Sequence, residues 1–108
     1  MNERGVRMRV DVVGRQFEIT DAIRSHAETK IEKLTRYFDG TQLITCTVSR
    51  PDQHHLFRVE LVVDVEKHDE FVCHADDEDL YAAIDKAVAK SQRQLTDYKE
   101  KLKQSKRS

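Results

Sequence analysis

Hydrophobic and polar residues alternate in four short stretches of the chain, and each stretch predicts a β-strand with one buried face. The inward positions are Val6, Met8, Val10 and Val12 in the first stretch, Ile44, Cys46 and Val48 in the second, Phe57, Val59, Leu61, Val63 and Val65 in the third, and Phe71, Cys73 and Ala75 in the fourth. Polar turns that open at Pro51 and at His68 separate the last three stretches.

Two longer segments repeat their apolar residues every three or four positions, which is typical of amphipathic helices. The first stripe consists of Ile23, Ala27, Ile31, Leu34 and Phe38. Thr20 is the predicted N-cap of this helix, and Gly40 is the residue predicted to end it. The second stripe consists of Leu80, Ile84, Ala87, Val88, Ser91, Leu95, Tyr98 and Leu102, and an acidic cluster at 76–79 precedes it.

The second helix is predicted to run from about residue 77 to 103, which gives a length of roughly 40 Å. Short strands cannot cover that length, so we expect its last turns to project beyond the sheet. The order of elements predicts an α+β fold, a βαβββα two-layer sandwich with a four-stranded sheet and both helices on one face. We expect a single domain over residues 1–104, followed by a frayed basic tail at 105–108.

The formal net charge of −1 hides a strong segregation of charge along the chain. Residues 52–85 contain eleven acidic and two basic side chains, whereas residues 86–108 contain eight basic and two acidic ones. A local basic surplus of this kind favours contact with a polyanion whatever the overall charge. Simple solvation of a small domain by its charged residues is the alternative.

Helical spacing concentrates the basic residues on one flank of each predicted helix. Lys30 and Lys33 share a flank of the first helix, opposite Glu28 and Glu32. On the second helix the basic flank carries Lys86, Lys90, Arg93 and Lys101, and Asp85 lies on the other side. If both helices cover one sheet face, we expect these flanks to join in one positive surface that tracks a phosphate backbone.

Residue types that would indicate catalysis or metal binding are not grouped in this sequence. Cys46 and Cys73 have no CxxC spacing and fall on inward strand positions, so we interpret them as reduced core residues. The five histidines include no pair at the i, i+4 spacing of a helical zinc site, and the three glycines form no phosphate loop. We therefore expect no enzyme activity, no cofactor, no metal and no small-molecule substrate. The apolar runs are too short to span a membrane, which makes the cytoplasm the expected location.

Three stretches of the sequence resemble one known family. They are FEITDAIRSHAETKIEKLTRYFD at 17–39, DLYAAID at 79–85 and KSQRQL at 90–95. They resemble the ribosome hibernation factors, the small proteins called hibernation promoting factor, ribosome-associated inhibitor or ribosomal subunit interface protein, in their short form. The resemblance implies a fold similar to double-stranded RNA-binding domains. It also implies binding in the decoding channel of the small ribosomal subunit, where such factors block the tRNA and mRNA sites under stress or in stationary phase.

The resemblance also implies a set of basic residues that bind ribosomal RNA. In this sequence they are Arg24, Lys30, Lys33, Arg36, Lys86, Lys90, Arg93, Lys99 and Lys101. Two positions depart from the family pattern, since Asp97 stands where a basic residue is common and Ser91 where an apolar one is. Longer members carry a further C-terminal domain that pairs ribosomes, and because this chain ends at Ser108 we do not expect pairing of that kind.

Two other functional hypotheses stay open at this point. In one, the chain is a non-ribosomal α+β protein-interaction module that uses an acidic sheet face within residues 52–85. In the other, it is a small enzyme with an unrecognised site.

Overall fold

A computed structural model describes residues 9–36, 41–51, 55–66 and 68–107 of the chain. The predicted strand positions Val6 and Met8, the helix-ending residues Phe38 and Gly40, and most of the turn after Pro51 lie outside the described residues. The elements are β1 (Arg9–Gly14), α1 (Asp21–Glu32) with a 3-10 turn at Lys33–Arg36, β2 (Thr41–Ser49), β3 (Phe57–Val65), β4 (Phe71–Asp77) and α2 (Leu80–Arg107). The predicted βαβββα order is confirmed.

The sheet has the strand order β1-β2-β3-β4. β1 is parallel to β2, and α1 connects them, whereas β2, β3 and β4 form an antiparallel meander. In the register, Val12 pairs with Cys46, Cys46 with Leu61, and Leu61 with Cys73. These four side chains therefore form one row across the buried face of the sheet, since directly paired residues share a face.

Both helices pack on that face and enclose the core between the two layers. Ile23, Ala27 and Ile31 form the buried stripe of α1. On α2 the fully buried residues include Ile84, Ala87, Ser91 and Leu95. The apolar periodicity of both helices is thus confirmed within the described residues. From Lys99 to Gln104 the side chains of α2 are exposed apart from the half-buried Leu102, as expected for turns that project past the sheet.

Capping interactions set the starts of the helices. The Thr20 hydroxyl accepts a hydrogen bond from the Ile23 amide at 3.2 Å, which confirms it as the N-cap of α1. At α2, the Asp79 carboxylate accepts from the Tyr81 amide at 2.9 Å. Asp79, the last residue of the acidic cluster, thus caps the second helix.

The bounds of α2 differ from those predicted at both ends. The helix begins at Leu80 because Asp76 and Asp77 still pair with β3 as the last residues of β4. At its other end it continues to Arg107, so residues 105–107, expected to form a frayed tail, are helical.

The two cysteines are buried and free, as expected for reduced core residues. Burial raises the pKa of the Cys46 thiol to about 12, and burial is also the main cause that raises the pKa of Cys73. The Cys73 sulfur lies 3.4 Å from the Ala87 carbonyl oxygen and 3.2 Å from the Ser91 hydroxyl oxygen. Ser91, the polar residue on an otherwise apolar stripe, thus has a hydrogen-bonding partner in the core.

Candidate nucleic-acid interface

A groove separates α1 from α2 on the side of the molecule that faces away from the sheet. It encloses about 250 Å³ and is lined by Lys30, Lys33, Leu34, Asp85, Val88, Ala89 and Gln92. Leu34 and Val88 give it an apolar floor, whereas the two lysines and Asp85 form a charged rim. Lys99 lies two turns beyond Gln92 on the same flank of α2, which extends the basic rim toward the projecting end of the helix.

Asp85 provides the negative charge inside this groove. Its carboxylate lies 3.1 Å from His26 Nε2 and 3.9 Å from Lys30 Nζ. The His26 ring also packs edge-on against Tyr81, with 4.8 Å between ring centroids. One carboxylate thus links α1 to α2 and partly balances Lys30, while Lys33 stands farther along the rim.

The other flank of α2 lies along β4, an edge strand of the sheet. Lys86 Nζ contacts the Asp77 carboxylate at 2.6 Å, and Lys90 Nζ donates to the His74 carbonyl oxygen at 2.8 Å. Gln94 Nε2, one turn further on, donates to the Val72 carbonyl at 3.2 Å. Lys90 and Gln94 thus cover backbone acceptors of an edge strand, a protection for which lysine is often used.

The basic residues of the helical layer therefore form two flanks, one on each side of α2, and not the single joint surface that we expected. Lys30 and Lys33 face the groove, whereas Lys86 and Lys90 face the β4 edge. Helical spacing correctly assigns residues to the flanks of each helix. It does not determine which flank faces the neighbouring helix, and in the folded chain the Asp85 flank of α2 faces α1.

The nine predicted RNA-binding residues differ in their existing contacts. Arg24 donates to the Val12 carbonyl oxygen at 3.2 Å, and Lys30, Lys86 and Lys90 have the partners described above. Within the described part of the chain, no hydrogen bond or ion pair involves the side chains of Lys33, Arg93, Lys99 and Lys101. The side chain of Arg36 lies outside the described residues. The unpaired group can therefore meet an external anion without breaking an internal contact.

The outer sheet face is less acidic than the count of carboxylates in residues 52–85 suggests. Glu60 and Asp64 lie on it, but Val13 and Val72 are 45% and 49% exposed on the same face. Asp76 also lies on this face, where it is paired with Arg58, whereas Asp79 caps α2 and Asp85 lies between the helices. The acidic sheet face on which the protein-interaction hypothesis rested thus also carries exposed apolar side chains.

Sequence reasoning also missed a group of arginines at one end of the sheet. Arg15 follows β1, Arg50 follows β2 and Arg58 is the second residue of β3. The available signal was their position directly at strand ends that meet at the same edge. These arginines are neighbours only because β1 pairs with β2, and the sequence did not predict that pairing.

The described residues contain no group of three or more His, Cys, Asp or Glu side chains arranged to hold a metal ion. Over the same residues, no helix combines the length and the apolar character needed to cross a membrane.

The two-layer βαβββα sandwich and its basic helical layer define a class of small α+β domains with a candidate nucleic-acid interface. Comparison with known proteins specifies the family. The chain belongs to the Sigma 54 modulation protein / S30EA ribosomal protein family, whose sequence model it matches over residues 10–103.

Individual relatives agree with this assignment. The chain is 40% identical over 97 residues to the ribosome hibernation promoting factor of Azotobacter vinelandii, covering 87% of this chain and 85% of the relative. It is similar to the crystal structure of the N-terminal domain of Thermus thermophilus Protein Y, with a TM-score of 0.72 and 36% identity over 82% of this chain and 94% of that one. A ribosomal subunit interface protein from Coxiella burnetii shares the fold, with a TM-score of 0.78 at 22% identity over 86% of this chain and 99% of that one. The resemblance to hibernation factors is thereby confirmed.

Proposed function

We propose that this protein binds the small ribosomal subunit through its helical layer and keeps the ribosome in an inactive, hibernating state. The observation that carries the proposal is the set of exposed basic side chains without internal partners, Lys33, Arg93, Lys99 and Lys101, in a chain similar to hibernation promoting factors. The proposed ligand is the backbone of ribosomal RNA, and the proposed place of action is the cytoplasm, where ribosomes translate.

Electrostatics supports this choice of ligand. Each lysine or arginine that neutralises a phosphate releases condensed counterions, so binding weakens in a graded way as salt increases. Lys33, Arg93 and Lys99 can make such contacts without losing others. Lys86 can also exchange its partner, because an exposed ion pair contributes only about 0–1 kcal/mol. Lys90 donates to an exposed backbone carbonyl, which water can satisfy when the ammonium group turns to a phosphate.

The proposed mechanism is occlusion of the decoding channel. A domain that occupies this channel and contacts its RNA excludes tRNA and mRNA sterically, so no bond is made or broken and no catalytic group is needed. Inhibition then depends only on occupancy, which makes it reversible by competing ligands or by salt. Protein binding and tRNA binding to the small subunit should therefore be mutually exclusive.

Co-sedimentation with purified small subunits over a series of salt concentrations tests the proposal. Arg93→Gln and Lys99→Gln should each lower the slope of log affinity against log salt by about one unit, and the double variant by about two. Arg9→Gln is the matched control, since it also removes one positive charge. Arg9 lies on the first strand rather than on the helical layer, is 75% exposed and pairs with Asp11.

The control should bind as the wild type does, and inhibition of translation in vitro should fall in step with binding. Equal salt slopes for all five proteins would show that the helical layer does not contact RNA. Simultaneous binding of the protein and of tRNA with mRNA would exclude occlusion while leaving RNA contact intact.

A further inference from the structure

The three arginines that sequence reasoning missed line a cavity at the end of the sheet where β1 and β2 finish and β3 begins. The cavity has a volume of about 340 Å³, within the range of small-ligand sites. Its lining, which we call the arginine pocket, consists of Arg15, Gln16, Ser49, Arg50, Pro51 and Arg58. None of these residues belongs to the proposed interface on the helices.

Strand pairing brings the pocket together from three separate segments. The Arg15 amide donates to the Val48 carbonyl oxygen at 2.9 Å, which extends the β1–β2 ladder past its last paired residues. This places Arg15 beside Ser49, and Ser49 is in turn paired with Arg58 on β3. Arg15 and Arg58 therefore lie on either side of Ser49, each one strand spacing of about 4.8 Å away.

The charges of the pocket are only partly balanced. Arg58 binds the Asp76 carboxylate through two nitrogens at 2.9 and 3.1 Å, so an internal anion already matches its charge. Arg50 is held differently, with its Cζ 4.5 Å from the centre of the Phe57 ring. A cation–π contact of this kind uses no hydrogen-bond acceptor, so it leaves the N–H donors of Arg50 available to an anion.

Arg15 adds a second available guanidinium. Among the described residues, no hydrogen bond or ion pair involves the side chain of Arg15 or of Arg50, and none of the residues lining the pocket is acidic. The pocket thus contains two arginines whose charge no described neighbour balances.

The backbone next to Arg15 is held in an uncommon conformation. Gln16 has a φ of 52°, in the left-handed region that residues with a Cβ rarely adopt. The chain turns so tightly here that a Cβ on Gly14 would overlap the Phe17 carbonyl group. Strained residues of this kind persist where the surrounding fold enforces them and are frequent at ligand sites.

We propose that the arginine pocket binds a phosphate group, with Arg15 and Arg50 as its principal ligands and the Ser49 hydroxyl as a further donor. A guanidinium presents paired N–H donors that match two phosphate oxygens, which a point charge cannot do. Arg58, held by Asp76, completes the lining of the pocket, with its charge already balanced there. The phosphate can belong to a free anion or to a nucleic-acid backbone. The site is independent of the proposed function of the helical layer.

Titration of the ¹⁵N-labelled protein with pyrophosphate at constant ionic strength tests the proposal by NMR. We expect saturable shifts of the Arg15 and Arg50 side-chain Nε–H signals and of the Ser49 amide. Arg15→Gln and Arg50→Gln should each weaken binding about tenfold or more, the loss expected for a hydrogen bond between charged groups. Arg50→Lys keeps the charge but lacks the paired N–H donors of a guanidinium, so it should retain only part of the wild-type affinity. Arg9→Gln, with one charge removed at the other end of β1, should bind normally.

A second titration with a short single-stranded RNA distinguishes the two sources of phosphate. Arg15-dependent shifts with pyrophosphate assign the pocket to a free anion, and such shifts with RNA alone assign it to a phosphodiester. The absence of saturable shifts with both probes overturns the proposal. It is equally overturned if Arg9→Gln weakens binding as much as Arg15→Gln, because the effect would then be that of overall charge. The amide spectrum of each variant reports whether it is folded.

Discussion

The buried contact between Cys73 and Ser91 makes a quantitative prediction about the core. Ser91 is fully buried on α2, and the sulfur of Cys73 lies 3.2 Å from its hydroxyl oxygen. Cys73→Ala removes that partner and leaves the hydroxyl in an apolar core. Ser91→Ala removes the hydroxyl itself. The second substitution should therefore relieve part of the damage done by the first.

The expected magnitudes follow from burial and hydrogen bonding. Cys73→Ala should lower the free energy of unfolding by about 1 kcal/mol through the lost packing of one sulfur. It should lower it further, by about 1–3 kcal/mol, because the buried Ser91 hydroxyl loses its hydrogen-bond partner. A residual bond from that hydroxyl to the carbonyl one turn earlier, at Ala87, favours the lower part of the range. Ser91→Ala loses a weak bond but gains about 0.5 kcal/mol of helix propensity, so its effect should stay within about 1 kcal/mol. The double variant should then be more stable than the sum of the single effects by about 1–2 kcal/mol.

Urea unfolding of the wild type, both single variants and the double variant measures this coupling. Far-UV circular dichroism is the suitable signal because the chain contains no tryptophan. Cys46→Ala combined with Ser91→Ala is the control, since Cys46 lies two strands away from Cys73 and those effects should add to within about 0.5 kcal/mol. Additive effects for Cys73 and Ser91 would refute the idea that the thiol satisfies the hydroxyl.

Two further predictions concern the sheet. Glu60→Gln combined with Asp64→Asn removes negative charge from the outer face, so small-subunit binding in co-sedimentation should be unchanged or slightly tighter. A large loss of binding would instead identify that face as an interface. A hydrogen bond from Arg58 is the main cause that lowers the pKa of Asp76 in the folded protein. The Asp76 carboxylate therefore stabilises the fold above its unfolded pKa of about 3.9, and this contribution is lost as the pH falls toward the folded pKa. Asp76→Asn should accordingly lose less stability than the wild type between about pH 5 and pH 3 in urea unfolding, and equal losses would contradict this assignment.

The parts of the fold that could be predicted from the sequence depend on neighbouring residues alone. Successive side chains of a strand point to opposite faces, so the alternation around Cys46 was sufficient to assign its burial. The stripe from Ile23 to Leu34 identified the buried side of α1 in the same way, and Thr20 supplied its N-cap. The resemblance to hibernation factors rested on short sequence stretches and needed no three-dimensional information.

The parts that could not be predicted depend on residues far apart in the chain. Asp85 faces α1 because of how the two helices pack on the sheet, and no pattern within α2 specifies that side. Lys90 was assigned to a polyanion-binding flank, yet its ammonium group also covers the His74 carbonyl, sixteen residues earlier. The arginine pocket, which combines Arg15 with Arg50, likewise exists only through the pairing of β1 with β2.

The contacts of Lys90 affect how loss of RNA binding should be interpreted. A charge reversal at this position places a carboxylate beside a backbone carbonyl and near Asp76, whose low pKa depends partly on the Lys90 charge. Such a variant weakens the β4 edge and the basic flank together, so its phenotype cannot be assigned to RNA contact alone. Arg93 has no comparable internal contact within the described residues, and its replacement isolates the electrostatic contribution. The contact at the β4 edge does not exclude Lys90 from the interface, because water can satisfy an exposed carbonyl when the ammonium group turns to a phosphate.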